Sequence, residues 1–141
     1  MSYRCQHCGG RLTSEDGQEI TFRGVLHSPG FVVAVPFTFA AELGNYQFRI
    51  QGDVVLEEGV KPDFQCPACH KSFTCCWNDD LAEIKMVDDA SGREDFVVFS
   101  RVYGTRATFV CDETRKLQQS FGEDKESYIE EFGKLHNWFG A

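Results

Sequence analysis

Two Cys-x-x-Cys pairs carry the most specific chemistry in this 141-residue chain. They are Cys5-Gln-His-Cys8, followed by Gly9-Gly10, and Cys66-Pro-Ala-Cys69. A CxxC turn brings two sulfurs toward one ion while backbone N–H groups point at them. Two such turns supply the four thiolates of a tetrahedral site. Gly9 permits the tight turn after Cys8. The expected ligands are therefore Cys5, Cys8, Cys66 and Cys69, and the expected cofactor is one structural Zn2+. A single iron ion fits the same donor set. With all four positions filled by protein, no water coordinates the metal, so metal-assisted hydrolysis is not expected.

Other readings of the cysteines are weaker. A redox CxxC is expected at a helix N-terminus after a strand, where the dipole lowers a thiol pKa, and neither pair opens a convincing helix. His7 and His70 flank ligand cysteines, and either could replace a thiolate. With four well-spaced cysteines present, both are expected beside the metal or simply exposed. Cys75-Cys76 is a vicinal pair that could act as a redox group. On a strand, however, neighbours point to opposite faces, so one packed and one exposed thiol are expected. Cys111 ends an apolar alternation with Ala107 and Phe109 and is expected in the core.

Beyond the cysteines little chemistry is visible. Arg101 and Arg106, with Arg115-Lys116 close behind, form the only basic region, expected to be a solvated strand face. Asp79-Asp80, Asp88-Asp89 and Glu130-Glu131 lack calcium-loop spacing. No phosphate-binding glycine loop, nucleophile elbow or HExxH motif occurs. The balance of 14 basic and 22 acidic residues gives a formal charge of −8, and four thiolates with Zn2+ bring it to about −10. Such a surface repels phosphate backbones, so nucleic-acid binding is disfavoured. The apolar run Phe31–Ala41 is too short to span a bilayer and contains Pro36. The N-terminus enters the first CxxC turn at once, so no secretory signal is expected. Seven cysteines, an odd number with two pairs at metal spacing, suit a reducing cytoplasm.

The elements that must position the cysteines read mostly as strands. Ile20, Phe22, Gly24 and Leu26 alternate with more polar residues. Phe31–Ala41 reads as a strand buried on both faces. Tyr46 to Leu56 alternates as one half-buried strand that bends at Gly52. Ala82, Ile84 and Met86 alternate next, Asp88–Gly92 reads as a hairpin loop, and two strand segments flank Gly104. The period then changes, and Tyr128, Ile129, Phe132, Leu135, His136 and Phe139 fall on one stripe of a C-terminal helix at about 123–139. Glu123-Asp124 supply negative charge at its start. No internal repeat is visible beyond the two CxxC turns.

Residues 5–10 and 66–73, which include the apolar Phe73 four places after Cys69, resemble the paired zinc knuckles of the zinc-ribbon superfamily. The 57 residues between Cys8 and Cys66 exceed the gap of a compact ribbon and hold three expected strands. The expected fold is therefore mainly β (α+β): an antiparallel β-sheet inserted between two zinc knuckles, with one C-terminal α-helix, in a single domain over 1–141. The expected role is a zinc-stabilised, non-catalytic interaction or regulatory module that binds another protein. Trp138-Phe139 hint at an interface or homodimer. The alternatives are a thiol redox protein using Cys75 or Cys76 and, because zinc ribbons often bind it, a protein of nucleic acid or the transcription apparatus.

Overall fold

The computed structural model describes residues 1–28, 30–52 and 54–129. Their strands are β1 (Ser2–Arg4), β2 (Glu19–Ser28), β3 (Phe31–Ala40), β4 (Phe48–Ile50), β5 (Asp63–Gln65), β6 (Leu81–Val87), β7 (Glu94–Ser100), β8 (Thr108–Cys111) and β9 (Leu117–Phe121). They form two antiparallel sheets, ordered β4-β3-β2-β5 and β1-β6-β7-β8-β9. The first sheet lies wholly between the CxxC turns in sequence, as an inserted sheet requires. Residues 126–129 are helical. Residues 123–125, where the helix is expected to begin, form a turn instead, and 130–139, with Trp138-Phe139, lie outside the described residues.

The two halves of the chain share one plan. In each, a short strand enters a CxxC turn and a hairpin follows. The short strands are exchanged: β1 pairs with β6 (Tyr3 opposite Met86), and β5 pairs with β2 (Phe64 opposite Gly24). The backbone repeats at a constant offset. Cys5 N–H donates to Gly10 O and Cys66 N–H to Lys71 O; Leu12 N–H donates to Tyr3 O and Phe73 N–H to Phe64 O. The repeat thus extends well past the CxxC turns, contrary to the sequence reading. Its visible residues are an aromatic two places before the first Cys (Tyr3, Phe64) and Leu12-Thr13 against Phe73-Thr74. Beyond these the halves share only strand periodicity, and their hairpins differ in length, 10 residues per strand in β2 and β3 against 7 in β6 and β7.

One core joins the sheets. Phe22, Phe37, Phe64 and Phe73 are buried with Leu12, Ile84 and Val97. The Phe22 ring stacks on Phe99 of the opposite sheet at 5.6 Å, and Phe37 meets Phe64 edge-on at 5.2 Å. Each fully buried Phe contributes about 1.5–3 kcal/mol, so the sheets cohere without help from a metal alone. A second cluster, Leu81, Val98, Phe109 and Cys111, lies under Tyr128 and Ile129.

Two strands differ from expectation. β3 is buried on one face only, because Val32, Ala34 and Pro36 face outward and are exposed. Pro36 is tolerated because its carbonyl, and hence its nitrogen, faces the side where β4 has ended; the carbonyl there accepts the Gln51 N–H. The long strand expected from Tyr46 to Leu56 shortens to Phe48–Ile50. Gly52 at φ +99° turns the chain, yet Val54 and Leu56 still pack on the core, which preserves the alternation without a ladder. The hairpin loop and the break at Gly104 fall where expected: residues 88–93 close the β6–β7 hairpin, and Gly104 lies in the β7–β8 connection.

Candidate metal centre

The exchange of β1 and β5 brings the two CxxC turns together. The side-chain sulfurs of Cys5, Cys8, Cys66 and Cys69 all lie within 4.8 Å of one another. Cys5 Sγ stands 3.8 Å from Cys69 Sγ and Cys8 Sγ 3.7 Å from Cys66 Sγ. A disulfide needs about 2.05 Å, so these are not disulfide contacts. A tetrahedron with metal–sulfur bonds of about 2.3 Å has sulfur–sulfur edges of about 3.8 Å. The donor set and its spacing therefore fit a tetrahedral thiolate ion such as zinc, and each half of the chain offers two ligands.

Backbone N–H groups prepare the sulfurs for negative charge. His7 N–H donates to Cys5 Sγ at 3.3 Å and Gly10 N–H to Cys8 Sγ at 3.4 Å. In the second turn Cys69 and Ala68 N–H point at the Cys66 sulfur, and Lys71 N–H at that of Cys69. Burial pushes the Cys5 thiol up to about 12 and raises that of Cys66, while the Lys71 N–H holds the Cys69 thiol below its ordinary value. Cys5 and Cys66 are buried, Cys69 is half-buried and Cys8 is exposed. Each turn ends with a residue in the left-handed region, Gly9 at φ +74° and His70 at φ +61°. Glycine is the residue expected there, and the second turn holds histidine instead.

The neighbouring candidates separate cleanly. His7 and His70 are exposed and stand outside the sulfur cluster; the His7 ring contacts Ser72 O at 3.2 Å. Cys75 is buried and Cys76 exposed, the split expected of the pair, although neither lies in a strand and Cys76 falls in a bend; Cys111 is in the core. Burial pushes the Cys75 and Cys111 thiols up to about 12.

The basic region does not form a patch. Arg101 is buried, contrary to expectation, and its guanidinium donates to the backbone carbonyls of Pro62 (3.0 Å), Asp79 (2.6 Å) and Lys61 (3.2 Å). Arg115 is half-buried, pairs with the buried Glu83 and lies 4.0 Å over the Phe96 ring. Arg106 stands apart over the Tyr46 ring at 5.8 Å. The Asp124 carboxylate, just ahead of the helical residues 126–129, accepts the Arg106 N–H.

A cleft opens between the sheets, about 530 Å³ in volume, with Phe22, Phe37, Phe39 and Phe64 on one side and Ile84 and Phe99 on the other. Sequence periodicity marks these residues as core but cannot distinguish a filled core from a hollow one. No protein-family model matches the chain, and no curated protein or solved structure is found to match it.

Proposed function

We propose that Cys5, Cys8, Cys66 and Cys69 hold one structural Zn2+ that pins the two sheets together, making residues 1–141 a single zinc-ribbon-like, non-catalytic module that recognises another protein. The observation that carries the metal is the pair of sulfur–sulfur distances, 3.8 and 3.7 Å, contributed by two separate CxxC turns. β1 and β5 cross between the halves through only three residue pairs each, so an ion bound to both turns reinforces the weakest part of the exchange. Four thiolates leave no coordination position for water or substrate, which supports a structural ion. A reducing cytoplasm would keep such thiols available.

The recognition role draws on exposed apolar side chains at one end of the β2–β3 hairpin. Phe31 and Val32 are 58% and 63% exposed, and a protein partner would cover them. Cys75, buried and with its thiol pushed up to about 12, weighs against a redox role for the vicinal pair. No helix among the described residues is long and apolar enough to cross a membrane.

Cobalt titration of the metal-free chain tests the centre. One equivalent should produce intense tetrahedral d–d and sulfur-to-cobalt charge-transfer bands, and Zn2+ should abolish them. Elemental analysis of the purified protein should find one zinc per chain. No metal in the protein and no cobalt spectrum would overturn the proposal. For recognition, capture from native cytosol should be lost with Phe31→Ser/Val32→Ser while the melting temperature holds; unchanged capture would refute that surface.

A further inference from the structure

The cleft between the sheets belongs neither to the metal centre nor to the exposed hairpin. Its volume, about 530 Å³, lies in the range of small-molecule sites, about 300–1,000 Å³. Its floor is the buried aromatic core. Toward the opening, Phe39 and Phe99 are only half-buried, and Phe48 is 38% exposed. Phe48 stacks on Phe39 at 5.4 Å and meets Tyr103 edge-on at 6.0 Å, so an aromatic wall runs from the core to solvent.

The mouth is built from contacts that fix it in place. Tyr46 Oη lies 2.9 Å from Thr108 Oγ1. The chain at Gly122 passes so close that an added Cβ would stand 2.2 Å from Arg106 O and 2.6 Å from Tyr46 Oη. Tyr103 N–H donates to Val60 O at 2.8 Å, and Gly59 N–H to Tyr103 O at 3.0 Å. These bonds hold the 57–60 and 101–107 connections side by side across the opening.

Charge at the mouth selects the ligand. Glu42, Glu58 and Glu123 line the cleft, and no salt bridge among the described residues engages them. Two arginines also line it. The Arg101 guanidinium is committed to three backbone carbonyls and the Asp79 carboxylate, which among the described residues leaves Arg106, over the Tyr46 ring, as the one cation at the rim. Aromatic faces attract cations through their quadrupoles, and carboxylates add to that attraction. We infer that the cleft between the two sheets binds a small aromatic molecule carrying a positive charge, its ring against Phe39 and Phe99 and its cationic group toward Glu58 and Glu123.

The test uses the zinc-loaded full chain and three probes of similar size, titrated by two-dimensional amide NMR and calorimetry. They are benzyltrimethylammonium (cationic), benzyl alcohol (neutral) and 3-phenylpropionate (anionic). The cation should bind saturably below about 10 mM, about tenfold more tightly than the carboxylate, with shifts centred on residues 39, 58, 99 and 103. Glu58→Gln with Glu123→Gln should weaken it about fivefold. Both positions are exposed, so the fold should survive, and an unchanged melting temperature confirms that. Arg106→Gln should tighten the cation, whereas an anion site would weaken on that change. Equal or tighter binding of the carboxylate, shifts elsewhere, no saturable binding of the cation, or indifference to the Glu58 and Glu123 changes would each overturn the inference.

Discussion

Gly24 lies where three strands meet, opposite Val35 of β3 and Phe64 of β5. A Cβ built on it would stand 2.3 Å from both Cδ1 and Cε1 of Phe37. Carbon atoms prefer about 3.5–4.0 Å, so Phe37 would have to retreat by about 1.4 Å. It has little room to do so, being 1% exposed and packed against Phe39, Phe48 and Phe64. Overpacking of this kind costs about 1–3 kcal/mol. Ala recovers about 0.5–1 kcal/mol of the flexibility penalty that glycine carries inside a strand. With Phe37 held in place the upper end of the overpacking cost applies, about 2–3 kcal/mol, so Gly24→Ala should destabilise the zinc-loaded chain by about 1–2.5 kcal/mol, lowering its melting temperature by about 3–10 °C. Urea unfolding followed by circular dichroism reads the difference. Phe37→Leu should relieve the clash, so the double variant should be more stable than the two single changes sum to, with a coupling of at least about 0.5 kcal/mol. A neutral or stabilising Gly24→Ala, or strict additivity with Phe37→Leu, would refute the close approach of β2 to Phe37 and the cleft wall drawn from it.

Three further outcomes follow from particular residues. Arg101→Met should cost about 3 kcal/mol, since the carbonyls of Lys61, Pro62 and Asp79 lose their donor together; urea midpoints measure it, and a loss under about 1 kcal/mol would show the guanidinium dispensable. Iodoacetamide at neutral pH should label Cys76 and spare Cys75 and Cys111, whose thiols ionise only near 12; labelling of Cys75 should rise only as pH climbs toward that value, and peptide mapping that finds Cys75 modified at neutral pH would restore the redox reading. His70→Gly should stabilise the zinc form by up to about 1 kcal/mol, because His70 occupies φ +61° where the matching turn has Gly9, and a lower melting temperature would mean that the His70 side chain contributes contacts of its own.

The distance between sequence and structure is set by how far each residue's information travels. Cys5, Cys8, Cys66 and Cys69 were legible as a group because ligand chemistry fixes both residue type and local spacing, and that constraint acts whatever lies between the pairs. The β6–β7 hairpin was legible for a similar reason, since alternation and a polar loop are local. The alternation from Tyr46 to Leu56 misled because it reports burial rather than pairing: Val54 and Leu56 face the core from a loop. Arg101 misled in the opposite sense. Three of its four acceptors are backbone carbonyls at 61, 62 and 79, which carry no side-chain signature, and the fourth, the Asp79 carboxylate, is far away in sequence, so nothing local marks that arginine as buried. The exchange of β1 and β5 was written faintly in the Tyr3/Phe64 and Leu12/Phe73 pairs. Without knowing that each short strand pairs into the other half, those residues read as ordinary flanks of a CxxC turn. The exchange also explains the position of the candidate metal centre. Two similar units that each lend a strand to the other must cross beside their CxxC turns, so all four sulfurs meet where three-residue strands alone secure the crossing. An ion bound there would stabilise pairing between the halves more than the core of either, and its removal should act first on β1 and β5 while the aromatic core between the sheets persists.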